Sequence, residues 1–230
     1  MSIILTKIPL NDVIKRFSEV PIPIIFAYIL TLIAIMITQA WRWQIIISSQ
    51  QKTRLSLWHL FWYRIIGYGV SYVTPTAKIG GEPVRAALLT RHKIKFKEGL
   101  TTVVIDKTLE LSSSGLFFVI GSIIALASYP VPSGAKTPII IFSLIAAVLI
   151  FYFYYQMLNG GSFFKKTFRG LQLHRSKKGK KLEKHIHEFE QLIIKFYQHE
   201  KKYFFAAIMI SLLSWILMFI EFKLALFMVG

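Results

Sequence analysis

Residues 74–89 read T-P-T-A-K-I-G-G-E-P-V-R-A-A-L-L. The stretch lies between apolar segments long enough to enter a membrane. Yet it holds Pro75 and Pro83, the pair Gly80-Gly81, and the charged side chains Lys78, Glu82 and Arg85. A broken backbone finds no hydrogen-bond partners in lipid, so it stands at membrane depth only inside protein or beside a water-filled cavity. Ionisable groups at that depth are costly and point to function. The stretch therefore reads as part of a re-entrant hairpin over 55–90: a helix in, a break carried by Pro75, Gly80 and Gly81, and a helix out. An ordinary connection between two spans is the alternative that stays open from these residues.

Composition sets the class. Apolar residues make up 54% of the chain and charged residues 17%, against about 45–50% and about 25% in average soluble domains. The apolar residues fall in long uncharged runs, each near or above the roughly 18 residues that argue for a transmembrane helix. Four spans are expected, at about 22–47, 100–128, 138–158 and 203–229. The fold class is all-α: a polytopic helical membrane protein with a re-entrant broken-helix hairpin, one integral membrane domain over 1–230. Residues 1–20 carry Lys7, Asp12, Lys15, Arg16 and Glu19 and no apolar core of a secretory signal. Asp12 is placed to cap a short helix that Pro21 and Pro23 would end. The chain has no cysteine, which excludes disulfides, thiol nucleophiles and cysteine metal sites.

A net charge of +17 suggests an anionic partner. In so apolar a chain that partner is expected to be the anionic leaflet of a membrane, and no nucleic acid is expected. The positive-inside bias by itself produces much of the same excess. It also gives a topology. The basic residues Lys52 and Arg54, then Arg91, Lys93, Lys95 and Lys97, then the basic segment 159–202, all fall on the cytoplasmic side. The turn-rich stretch 129–137 and both chain ends fall outside. The expected location is the cell (inner or plasma) membrane, crossed several times.

Local patterns refine the segments. Trp41, Arg42 and Trp43 are read at the headgroup level, with Arg42 snorkelling. Residues 55–73 are aromatic and apolar, interrupted by His59 and Arg64 and loosened by Gly67 and Gly69, so interfacial or re-entrant entry is expected there. Early in the second span, Asp106 and Glu110 share one helix face, and Lys107 is placed to pair with Glu110. Within 159–202, Leu182, Ile186, Phe189, Ile193 and Phe196 recur at helical steps, marking an amphipathic helix that lies on the membrane surface or on the bundle. His185 and His187 are two apart on diverging faces, so solvated histidines are expected rather than a metal site.

The ordered pattern also resembles a known family. T-P-T-A-K-I-G-G-E-P-V-R-A-A-L-L, followed by V-V-I-D-K-T-L-E-L at 103–111, is similar to the signature of lysylphosphatidylglycerol synthase transmembrane domains, also called flippase-like membrane proteins. The matching positions are Pro75, Gly80, Gly81, Glu82, Arg85, Leu88 and Leu89, then Asp106, Lys107 and Glu110. Trp41-Arg42-Trp43 resembles the Arg-Trp pair that closes the preceding family helix. Asp-Lys stands where Glu-Arg is commoner, which keeps the charges but loses the planar fork of arginine. The resemblance covers about 12–230. It implies one further helix before the Asp12 region and a second half beyond Gly230, so the chain is expected to be incomplete at one or both ends.

What the resemblance implies is lipid handling: a phospholipid or lipid-linked precursor bound, or moved between leaflets. The aminoacyl-transfer domain of the full synthases is absent, so no enzyme and no cofactor are expected. Glu82, Arg85, Asp106, Lys107 and Glu110 form the expected polar site, with Arg85 placed to grip a lipid phosphate. In the competing reading, Glu82 and Arg85, three apart on one helix, only neutralise each other. Two further readings are a membrane transferase using Asp106 or Glu110 as base, and an accessory subunit that docks a lipid-modifying enzyme through 159–202.

Overall fold

The structure, a computed structural model, describes residues 20–51, 54–74, 80–170 and 177–229, with the backbone alone at 177–182, 184, 185 and 229. Asp12, Lys52, Pro75, Lys78 and His174 lie outside the described residues. Among those described, helices follow one another: α1 (Ile22–Gln51), α2 (Leu57–Val73), α3 (Gly81–Leu89) with a 3-10 turn at Thr90–His92, α4 (Phe96–Ser128), α5 (Ser133–Leu158), α6 (Phe163–Gly170), α7 (Lys177–His199) and α8 (Lys201–Val229). Four of them, α1, α4, α5 and α8, are long and apolar enough to cross a membrane. The all-α membrane class is therefore what the chain forms, and the four candidate helices fall where the four spans were expected.

The first span begins at Ile22, as expected, and the third begins earlier than expected, each behind a proline; the short helix expected before Pro21 lies outside the described residues. Pro21 accepts from Ile24 N–H at 2.9 Å and opens α1, and Pro23 lies in the first turn, where an N–H has no helical partner to lose. Pro132 likewise accepts from Ala135 and Lys136, at 2.9 and 3.2 Å. So α5 starts at Ser133, with Pro138 inside it. The connection read as 129–137 shrinks to 129–132.

Helix α1 runs antiparallel to α8. Polar contacts mark the register: Tyr28 with Glu221 at 3.4 Å, Ser214 with Thr38 at 2.9 Å and Arg42 with Ser211 at 3.2 Å. Two apolar clusters flank α1 and α4. One gathers Trp43, Ile47, Leu60, Ala86, Leu89 and Val103. The other gathers Ile46, Ile105, Leu109, Met157, Ile193 and Tyr197. Both draw on α1 and α4, so these two helices form the centre. The outer side of α5 exposes Ile141, Phe142, Leu144, Val148 and Phe151, as a lipid-facing surface does.

Helices α2 and α3 fold back on each other. Gly81 N–H donates to Ser71 Oγ at 2.9 Å, and at the other end Tyr63 Oη lies 3.0 Å from His92 Nε2. A Cβ on Gly81 would collide with the Gly67 carbonyl oxygen, and one on Gly67 would come within 2.7 Å of Arg85 Cγ. Two backbones are thus in direct contact, which only residues without side chains allow. Gly67 is a packing residue here, not a loosening one. Helix α3 has 9 residues, about 13 Å of rise, too short to cross a bilayer.

The described parts of the basic segment 159–202 fold as α6, α7 and the first residues of α8, and α6 and α7 form a layer against the bundle. Ile193, Phe196 and Tyr197 are buried, so the C-terminal part of the amphipathic stripe faces protein. Tyr197 Oη lies 2.9 Å from Thr108 Oγ1, and burial pushes its hydroxyl up. Glu190, also buried, accepts from Phe164 N–H at 2.6 Å and ties α7 to the start of α6. Desolvation pushes its carboxyl above the ordinary glutamate value, against the pull of the α6 amide groups.

Candidate functional site

Between the two apolar clusters lies a knot of charge. Asp106 is wholly buried (0% exposed), and three guanidinium groups with little more exposure close on it: Arg64 (1%), Arg42 (2%) and Arg85 (6%). Arg42 Nε donates to Asp106 Oδ1 at 2.8 Å. Arg64 Nη1 and Arg85 Nη2 donate to Oδ2 at 2.7 and 2.9 Å. Each arginine comes from a different helix: α1, α2 and α3. One carboxylate on α4 therefore holds the hairpin and the first span together.

Glu110 lies one turn further along the same face of α4. It accepts from Arg64 Nη2 at 3.1 Å and from Lys107 Nζ at 3.0 Å, with Arg42 Nη2 at 3.6 Å. Arg64 Nε donates to Gln39 Oε1 at 3.0 Å. Lys107 Nζ stands 3.9 Å from Glu82 Oε1. Arg85 lies over the Trp43 ring, 4.1 Å from its centroid, and Trp43 Nε1 donates to Thr102 Oγ1 at 3.1 Å. Four cations thus face three carboxylates, which leaves one positive charge over. Burying such a set costs several kcal/mol per ion and holds only because nearly every group is paired.

Three polar atoms in the set make no hydrogen bond: Arg42 Nη2, Arg85 Nε and Glu82 Oε2, all buried. Two of them belong to residues that line a cavity of about 200 Å³ between α2, α3 and α4. Arg64, Arg85, Glu82, Lys107 and Glu110 form its polar wall, and Ser71, Tyr72, Gly67 and Gly81 its hairpin side. The donor Arg85 Nε is a place for water or an anion, and the acceptor Glu82 Oε2 a place for water or a donor group.

The structure brings together Glu82, Arg85, Asp106, Lys107 and Glu110, with Gly81 beside them. Gly80 stands at the cap of α3, and Pro75 lies outside the described residues. Three expectations change. Arg42 does not snorkel: it is buried on Asp106, because a buried carboxylate outcompetes the headgroup region for its fork. Arg64 is not an interfacial interruption but a central member of the knot. Arg85 turns to Asp106 and not to its helix neighbour Glu82, so the two do not form the neutralising pair. An arginine inside an apolar aromatic run was the available signal for Arg64. For Arg42, only the fold could show which carboxylate it meets.

Over its full length, residues 1–230, the chain matches the family described as lysylphosphatidylglycerol synthase TM region, and it belongs to that family. No curated protein and no solved structure matches it significantly.

Proposed function

We propose that this member of the lysylphosphatidylglycerol synthase TM region family binds a phospholipid, or a lipid-linked precursor, by its phosphate in the α2–α3–α4 cavity and passes it between leaflets. The observation that carries the reading is Arg85: buried, bordering the cavity, with Nε free of hydrogen bonds while Nη2 is anchored on Asp106. An anchored guanidinium with a spare donor is preorganised to take a phosphate oxygen. The surplus positive charge of the knot favours the same ligand. The hairpin of α2 and α3 is read as re-entrant, which would bring the cavity to membrane depth.

The same geometry supports a role without catalysis. Asp106 already accepts from three guanidinium groups, and Glu110 from two cations, so neither is placed to take a proton from a substrate. The protein is read as a transporter in the cell membrane, its partners the lipids themselves, anionic phospholipid first.

The test is reconstitution of the purified full chain in liposomes carrying a fluorescent phospholipid. Dithionite should bleach well beyond the outer-leaflet fraction in wild-type vesicles, and only that fraction in Arg85→Lys vesicles. Protection of the inner leaflet at the level of protein-free liposomes would overturn translocation. Wild-type protein that also co-purifies no more phospholipid than Arg85→Lys would overturn the binding site.

A further inference from the structure

A second cavity, a groove of about 440 Å³, runs along the other side of α4, between α4 and α5. Its walls are Leu111, Gly115, Ala146, Leu149, Ile150 and Phe153. Gly115 lets Ile150 come close: a Cβ there would stand 2.7 Å from Ile150 Cδ1. The hydroxyls at the groove are turned inward. Thr108 Oγ1 donates to the Ile105 carbonyl at 2.9 Å, and Ser112 Oγ to the Thr108 carbonyl at 2.7 Å. The lining therefore offers an occupant nothing polar. From Thr108 to Gly115 it rises about 10 Å, the length of a stretch of hydrocarbon chain.

One end of the groove is different. Phe163 and Phe164, the first residues of α6, close it. Directly after them come Lys165, half-buried and within electrostatic reach of Glu190, and Lys166, exposed and so the freer of the two. Lys166 Nζ reaches Gln156 Oε1 only at 3.5 Å, whereas Arg169 is engaged by Glu183 at 2.6 Å. An apolar slot closed by Phe163 and Phe164, with two lysines next on the same helix and Lys166 reaching Gln156 one turn beyond Phe153, is complementary to a hydrocarbon chain with an anion at its head. A polypeptide helix would not match that charge at one end.

We propose that the α4–α5 groove seats one acyl chain of an anionic phospholipid whose phosphate meets Lys165 and Lys166. The site is separate from the arginine-lined cavity, since Thr108 and Ser112 lie on a different face of α4 from Lys107 and Glu110. A lipid held there fills the space between α4 and α5 and fastens the α6–α7 layer to the membrane, so it makes the bundle sensitive to the anionic lipid content of the bilayer.

The experiment photolabels the purified full chain in detergent micelles. Phosphatidylglycerol or phosphatidylcholine carrying the same acyl-chain diazirine is the probe, and labelled peptides are mapped by mass spectrometry. Labelling should concentrate in 108–115 and 146–153 and be several-fold stronger with phosphatidylglycerol. The Lys165→Gln/Lys166→Gln variant should bring it down to the phosphatidylcholine level. Ala146→Phe, or Leu149→Trp should the first variant aggregate, should lower labelling by both lipids, and Arg85→Lys should leave it unchanged. Labelling equal for the two lipids, or spread evenly over Phe142, Leu144 and Phe151, overturns the site. So does a polypeptide cross-linked to the groove in native membranes.

Discussion

Arg85 Nη2 donates to Asp106 Oδ2 at 2.9 Å and joins the short helix α3 to the span α4. Because Arg42 and Arg64 hold the same carboxylate, the two partners are not equivalent. Removing Arg85 leaves Asp106 paired. Removing the charge of Asp106 leaves three buried guanidinium groups facing one another.

That asymmetry sets the first prediction. Asp106→Asn should destabilise the protein by about 3–5 kcal/mol, the cost of breaking a buried ion pair from one side. Arg85→Gln should cost clearly less, and combined with Asp106→Asn it should recover part of the loss. Thermal unfolding in detergent with size-exclusion yield reads all three. Equal damage from both single variants would refute the shared-carboxylate account.

For Arg85 itself, lysine keeps the charge and loses the planar fork. Arg85→Lys should fold at wild-type yield and co-purify less phospholipid. Since Glu82 is not the partner of Arg85, Glu82→Gln should not rescue the yield of Arg85→Ala. A full rescue would reinstate Glu82–Arg85 as a structural pair.

The hairpin contact predicts a contrast among glycines. Gly81→Ala should disrupt the α2–α3 packing, because its Cβ meets the Gly67 backbone, and Gly67→Ala should displace Arg85. Gly69→Ala meets no atom within 4 Å and should stabilise the helix by about 0.5–1 kcal/mol. Thermal shifts of the same sign at all three positions would count against the close approach.

Glu190 gives a pH dependence. Its carboxyl is raised by burial, so its favourable contribution is full below the ordinary glutamate range. That contribution is lost as pH rises through the raised value. The melting temperature should therefore climb as pH falls from neutral toward the ordinary glutamate value, and Glu190→Gln should flatten that slope while keeping an acceptor for Phe164 N–H. An unchanged slope in the variant would assign the effect elsewhere.

Topology is open to direct labelling, since the chain has no native cysteine. Gly134→Cys, at the start of α5, and Gly170→Cys, at the end of α6, should react with an impermeant thiol reagent from opposite sides of sealed vesicles. Reaction of both from one side would remove α5 as a span.

The sequence by itself determined the class and the spans, because lipid imposes length and apolarity on a helix and both are read along the chain. It also singled out Glu82, Arg85, Asp106, Lys107 and Glu110, since charges beside a Gly-Gly pair in so apolar a chain are costly to keep. Only the tertiary structure decided the pairing. Arg42 and Arg64 stand 64 and 42 residues from Asp106 along the chain, and no local spacing relates them. Electrostatics inside a low-dielectric interior is settled by which groups the packing of α1, α2 and α3 against α4 brings within hydrogen-bond reach. Helical proximity alone favoured Glu82 for Arg85; the contact of Gly67 with Gly81 aims α3 so that Arg85 meets Asp106 instead.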